Sequence, residues 1–212
     1  MYDNIMVVSL LSFCVLVIAL FGFLVTLIIG KSVKNVTTLK VGKIGSIASL
    51  CLAIVCYGTY AFVGNLQEKE LRNQRIAFRK NAIDFQSQFL TIATDVEKIG
   101  SDVSDKWQDA ILNDKNISDV VIMTINSHDK KIDKIRNKMK DLHNSLLLLK
   151  INDTGDLELK YKDFEKGYNE LDDFLQLTSS PDNESYSSFI DKYNTLDNKL
   201  VSFLKKVQRF NN

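Results

Sequence analysis

IMVVSLLSFCVLVIALFGFLVTLII, residues 5–29, runs for 25 residues without a charge. As a helix rising 1.5 Å per residue it is long enough to cross a bilayer core of about 30 Å. A second uncharged run, IGSIASLCLAIVCYGTYAFV, occupies residues 44–63. Between them lies GKSVKNVTTLKVGK, residues 30–43, with Lys31, Lys34, Lys40 and Lys43. Two apolar runs of bilayer length around a basic connection read as a transmembrane helical hairpin over residues 1–64. A cleaved leader is not expected, because the first run is long and is preceded by Met-Tyr-Asp-Asn, which has no Lys or Arg.

Charge divides the chain in the same way. Residues 1–80 hold nine Lys/Arg and three Asp/Glu, whereas residues 81–212 hold eighteen and twenty-three. An acidic C-terminal part lacks the basic face that general nucleic-acid binding needs, so no nucleic acid is expected as a partner. Cys14, Cys51 and Cys56 all lie in the apolar runs, which leaves the C-terminal part without a disulfide framework or a thiolate metal site. Pro181 is the only proline, a composition that favours long helices. The Asn-, Lys-, Asp- and Ile-rich composition reads as bacterial or phage-like.

Orientation is contested within the sequence. Four lysines follow the first run and no Lys or Arg precedes it, which places the loop in the cytoplasm and the C-terminal domain outside it. Lys69, Arg72, Arg75, Arg79 and Lys80 after the second run pull the other way, toward a cytoplasmic domain. The first helix usually dominates, so an extracytoplasmic domain is expected. Tyr2, Tyr57 and Tyr60 would form an interfacial belt on the domain side. In the second run Gly45, Ser49 and Ala53 recur every four residues, a stripe that suits close helix packing, either against the first helix or against another copy. No ionisable residue lies within either run, so a charged ion pathway through the spans is not expected.

Beyond a basic neck at 65–77, four stretches show the spacing of helices buried along one face. Their apolar positions are Phe78, Ala82, Phe85, Phe89, Ile92, Val96, Ile99 and Val103, then Val121 to Leu149, Leu157 to Leu175, and Tyr186 to Phe210. The step from Val103 to Trp107 adds a stutter. Helices are expected at about 66–112, 118–150, 157–178 and 182–210, with Ser118 and Ser180 as N-caps and Pro181 in a first turn. The fold class is therefore all-α, a two-helix transmembrane hairpin followed by an antiparallel up-down-up-down four-helix bundle or coiled-coil domain over 78–212. Folding the first of these helices back on the second brings Asp95 and Glu97 toward Lys131 and Lys134. The same topology brings Lys205, Lys206 and Arg209 toward the basic neck.

Chemistry is scarce. His128 and His143, the only histidines, are too far apart on one helix to share a metal, and His128 falls on the buried stripe as a core or boundary histidine. No Glu-x-x-His occurs, and Asn152 to Glu158 gathers oxygens without the spacing of a calcium loop. Asp172 and Asp173 read as a solvated face. No phosphate-binding glycine loop or nucleophile elbow is present. No catalytic, cofactor-binding or metal-ligating residue is assigned, and no cofactor is expected. Trp107 reads as a core plug at the stutter, or alternatively as an interaction anchor. These features lead to a non-enzymatic, membrane-anchored helical-bundle interaction or scaffold protein whose partners are the lipid bilayer and a protein or another copy of itself. The alternatives are a homo-oligomeric channel or pore with a helical cap, and a ligand-sensing bundle.

Overall fold

The computed structural model describes residues 2–181 and 184–211, and the ring of Tyr2 lies outside the described side chains. The fold is all-helical, with six helices and no strand among the described residues. They are α1 (Tyr2–Ser32), α2 (Val36–Leu112), α3 (Ile117–Ser127), α4 (Asp129–Asn152), α5 (Tyr161–Ser179) and α6 (Tyr186–Asn211). The chain divides into two compact units, Met1–Asn73 and Gln74–Asn212. By length and composition, α1 and the first part of α2 are, among the described residues, the two helices able to cross a membrane.

The N-terminal unit turns more tightly than its sequence suggests. The expected loop at 30–43 shrinks to residues 33–35, because Asn35 starts α2 at once. Its side-chain oxygen accepts the backbone N–H groups of Thr37 at 3.0 Å and Thr38 at 3.2 Å, which are orphan donors of a first helical turn. Lys34 adopts the left-handed conformation, φ 55°, to reverse the chain. The second apolar run and the expected first bundle helix are both parts of α2, and no helix end falls at the neck.

Small residues lie where α1 meets α2. A methyl group on Gly42 would stand 2.7 Å from the backbone nitrogen of Leu27, and one on Gly30 2.8 Å from that of Leu39. Gly45 faces the ring of Phe23, and Phe13 lies 6.0 Å from Tyr57 between ring centroids. Ser49 and Ala53 are buried. Large apolar side chains take the opposite position, with Val15, Ile18, Phe21, Ile44, Ile47, Ile54 and Phe62 all exposed. The hydroxyls of Thr26 and Thr59 donate to the carbonyls of Gly22 and Val55, each four residues back, so neither is left unsatisfied on an apolar surface.

The C-terminal unit inverts this arrangement and has a conventional apolar core. Every position of the first seam, from Phe78 through Trp107, is buried. Ile132, Ile135, Met139, Leu142, Leu146 and Leu149 of α4 join it, as do Phe164 and Leu171 of α5 and Phe189, Leu200, Phe203 and Val207 of α6. The rings of Phe85, Phe164 and Phe203 meet edge to face, which suits the aromatic quadrupole. Gly167 leaves room for the ring of Phe203, since a Cβ there would come within 2.8 Å of it.

Four boundaries differ from expectation, each for a local reason. The helix expected at 118–150 is two helices broken at His128, where the backbone leaves helical geometry (φ −98°, ψ 0°) and the Ser127 hydroxyl bonds back to the carbonyl of Thr124. Its first N-cap is Asn116, which accepts from the N–H of Asp119, and not Ser118. The helix expected from 157 begins at Tyr161, because the Asp153 carboxylate ties down the N–H groups of Gly155 and Tyr161, both at 2.8 Å. Gly155 supplies the positive φ that this loop needs. Ser180 closes α5 and does not open the next helix, as its N–H donates to the carbonyl of Gln176. The expected start at 182 lies outside the described residues. α6 opens at Tyr186, with the Ser185 hydroxyl accepting from the N–H of Ser188 at 3.2 Å.

Candidate functional site

The residues singled out for chemistry do not converge. His128 sits at the α3–α4 break and contacts the Asp102 carboxylate through Nε2 at 2.8 Å. His143 is exposed and lies 5.5 Å from Tyr168 between ring centroids. Two of the three carboxylates of the 152–158 stretch are committed to the protein, Asp153 to two backbone N–H groups and Asp156 to Arg75 and Thr154, while Glu158 is exposed. No group of three or more potential metal ligands occurs among the described residues. Trp107 is buried against Tyr186 and Phe189, at 5.9 and 5.5 Å, which is the position of a core plug and not of an exposed anchor.

The ion pair foreseen across the first helix pair forms around Asp95. Its carboxylate binds Lys138 at 2.8 Å and lies 3.8 Å from Lys131. The hydrogen bond from Lys138 holds Asp95 below the usual carboxylate range, against the effect of burial. Lys138, one turn beyond the expected Lys134, is the partner that sequence spacing missed. Tyr193 donates its phenolic proton to the carbonyl of Glu97 at 3.2 Å. Burial, with the nearby Glu97, Asp197 and Asp105, pushes that phenol up to about 12. These interactions hold helices together and offer no reactive group to a substrate.

Surface charge is the stronger feature. Residues 74–80 and 203–211 contain Arg75, Arg79, Lys80, Lys205, Lys206 and Arg209 and no Asp or Glu. The two segments meet where Phe78 and Phe210 pack edge to face at 6.1 Å and where Arg79 lies over the Phe210 ring at 5.4 Å. Two of the six cations are paired, Arg75 with Asp156 and Lys206 with Asp163. Burial works to raise the Asp163 carboxyl, but the Lys160 N–H and the Lys206 ammonium outweigh it and leave it below the usual range. Lys80 and Lys205 are exposed, with no carboxylate partner among the described residues. The opposite end has the other sign, since residues 102–119 hold five Asp and two Lys. The expected up-down order of the helices brings the two basic segments together, and the Phe78–Phe210 and Arg79–Phe210 contacts join them.

No family model, no curated protein and no solved structure matches the chain. Any functional reading therefore rests on the chain's own residues.

Proposed function

We propose that this protein is a membrane-anchored helical interaction or scaffold module without enzymatic activity. In this reading α1 and the first part of α2 cross the bilayer as an antiparallel hairpin. Residues 74–211 form an up-down-up-down bundle of α2, α3–α4, α5 and α6 that binds a protein partner or a second copy, on the extracytoplasmic side. The observation that carries it is the contrast between the two units, the first with large apolar side chains outside and Gly30, Gly42, Ser49 and Ala53 inside, the second with its large apolar side chains inside. An apolar exterior is stable in lipid and costly in water.

The hairpin is supported by the order of its contacts. Gly30 meets Leu39, Leu27 meets Gly42, Phe23 meets Gly45 and Phe13 meets Tyr57, so one partner number falls as the other rises. The bundle is supported in the same manner. Asp95 meets Lys138 and Asp102 meets His128, while Phe78 meets Phe210 and Trp107 meets Phe189. Phe78 and Phe85 meet Phe164 whereas Gly100 meets Thr178, which gives α2 and α5 the same direction. Of the two uses the small-residue stripe suits, the contact of Gly45 with Phe23 and the burial of Ser49 and Ala53 favour packing against α1 over packing against another copy.

The test combines fractionation, topology and crosslinking. The full chain should stay with membranes through an alkaline carbonate wash, and a reporter fused after Asn212 should be active only outside the cytoplasm. Release by carbonate would refute the anchor. An active cytoplasmic reporter would reverse the orientation. Crosslinking in membranes should recover a heteromeric or homomeric adduct, and recovery of monomer alone would end the scaffold reading.

A further inference from the structure

We propose that the basic end of the C-terminal unit, built from residues 74–80 and 203–211, binds the phosphates of acidic lipid headgroups. The inference rests on the reading that residues 44–63 cross a bilayer, and it adds a second, reversible contact with the same membrane. Three observations carry it.

The first is composition. Six cations and no carboxylate fall in two segments that are distant in sequence and joined by the Phe78–Phe210 contact. The second is availability. Carboxylates from the neighbouring loop and from α5 do reach this end, and Asp84 follows Lys80 by one turn of α2, but three of these carboxylates are already engaged. Asp156 takes Arg75, Asp163 takes Lys206, and Asp153 is held by backbone N–H groups. Lys80 and Lys205 remain exposed and unpaired among the described residues, and Arg79 and Arg209 are exposed beside them.

The third is reach. Gln74 follows Val63 by eleven residues, so even a fully extended chain holds it within about 40 Å of the end of the apolar run. That tether keeps this end at high effective concentration over the headgroups, whatever path the chain takes between. Clustered Lys and Arg beside a membrane helix are attracted by the surface potential of anionic lipids, an attraction that decays within a Debye length. The acidic residues at 102–119 belong to the opposite end of the unit and would be repelled by the same surface. Headgroup phosphates are favoured over free phosphate because the cations are spread over a surface and no enclosed cradle gathers them.

The experiment uses the full chain in lipid nanodiscs, either phosphatidylcholine alone or with roughly a quarter phosphatidylglycerol, an anionic lipid. Exposed lysines are acylated for short times and read by mass spectrometry. Lys80 and Lys205 should react about threefold more slowly or less in the acidic discs, as electrostatic attraction to anionic lipid predicts. Lys115, at the acidic end, should react equally in both. The protection should vanish in about 1 M salt, where the Debye length is near 3 Å. It should weaken in R79Q/R209Q, and added inorganic phosphate at low concentration should leave it unchanged. Equal rates in the two discs would overturn the proposal, as would protection in neutral discs that ignores salt. Protection that needs an added acidic protein and not acidic lipid would assign the surface to a protein and also overturn it. Loss of the chain from the discs in an alkaline wash would instead refute the membrane spans, so the two failures are separable.

Discussion

Phe85 and Ile83 are two residues apart on α2, which sets them about 200° apart around the helix. Phe85 is fully buried, and its ring lies 5.9, 5.4 and 6.3 Å from those of Phe89, Phe164 and Phe203. Ile83 is 52% exposed. Phe85→Ala removes a ring from the middle of an aromatic cluster, where such truncations cost about 3–5 kcal/mol. Ile83→Ala leaves no enclosed cavity and should cost under about 0.5 kcal/mol. With a urea dependence of about 2 kcal/mol per molar, the first change lowers the unfolding midpoint by about 1.5–2.5 M and the second by no more than about 0.25 M. Trp107 is the only tryptophan and is buried in the same core, so its emission in mild detergent reports this unit and not the apolar helices. A shift below about 0.5 M for Phe85→Ala, on that same dependence, would refute the placement of the core. Equal shifts for the two variants would refute the helical register.

Two further outcomes follow from named contacts. Gly42→Ile drives a side chain into the backbone of Leu27, which cannot yield, whereas Gly22 and Gly58 have nothing within 4 Å of an added Cβ. With the native cysteines replaced by serine, disulfide formation between Phe13→Cys and Tyr57→Cys should drop sharply on adding Gly42→Ile and hold on adding Gly22→Ala or Gly58→Ala. Tyr193 loses its proton in the folded protein only near about 12, above the usual value for a phenol. A raised folded value means that its stabilising contribution is complete below about pH 10, the unfolded value, and fades as pH climbs toward 12. Urea midpoints should therefore fall across that window, and Tyr193→Phe should flatten the fall.

The sequence carried much of this architecture, and the losses have identifiable causes. Seam positions such as Phe78, Phe89, Ile99 and Leu142 were legible because burial along a helix imposes a 3–4 spacing that few other structures share. Leu159 is buried in a loop, and Phe174 is buried next to Leu175, so neither follows the seven-residue repeat. Helix ends were less legible because single side chains decide them. Asn35, Asn116, Asp153 and Ser185 each win a local competition for backbone N–H groups against equally plausible neighbours. The break at His128 follows the same rule, with the Ser127 hydroxyl taking the Thr124 carbonyl. The basic end was foreshadowed by charge clustering, but its pairings with Asp156 and Asp163 depend on a loop whose path spacing alone does not encode.

The contacts between the two ends of the C-terminal unit have a consequence for how the chain is made. Gln86 bonds Asn211 across 125 residues, and Phe203 covers Phe85 and Phe89. A ribosome adding about 5–20 residues per second needs roughly 6–24 seconds to get from Phe85 to Phe203. For that interval the phenylalanines of α2 lack their cover from α6, while the apolar helices upstream have long since left the exit tunnel. If those helices enter the bilayer as proposed, the nascent chain spends its most aggregation-prone seconds already delivered to its destination, and a message cut short before the codon for Phe203 would leave that sticky face open for good.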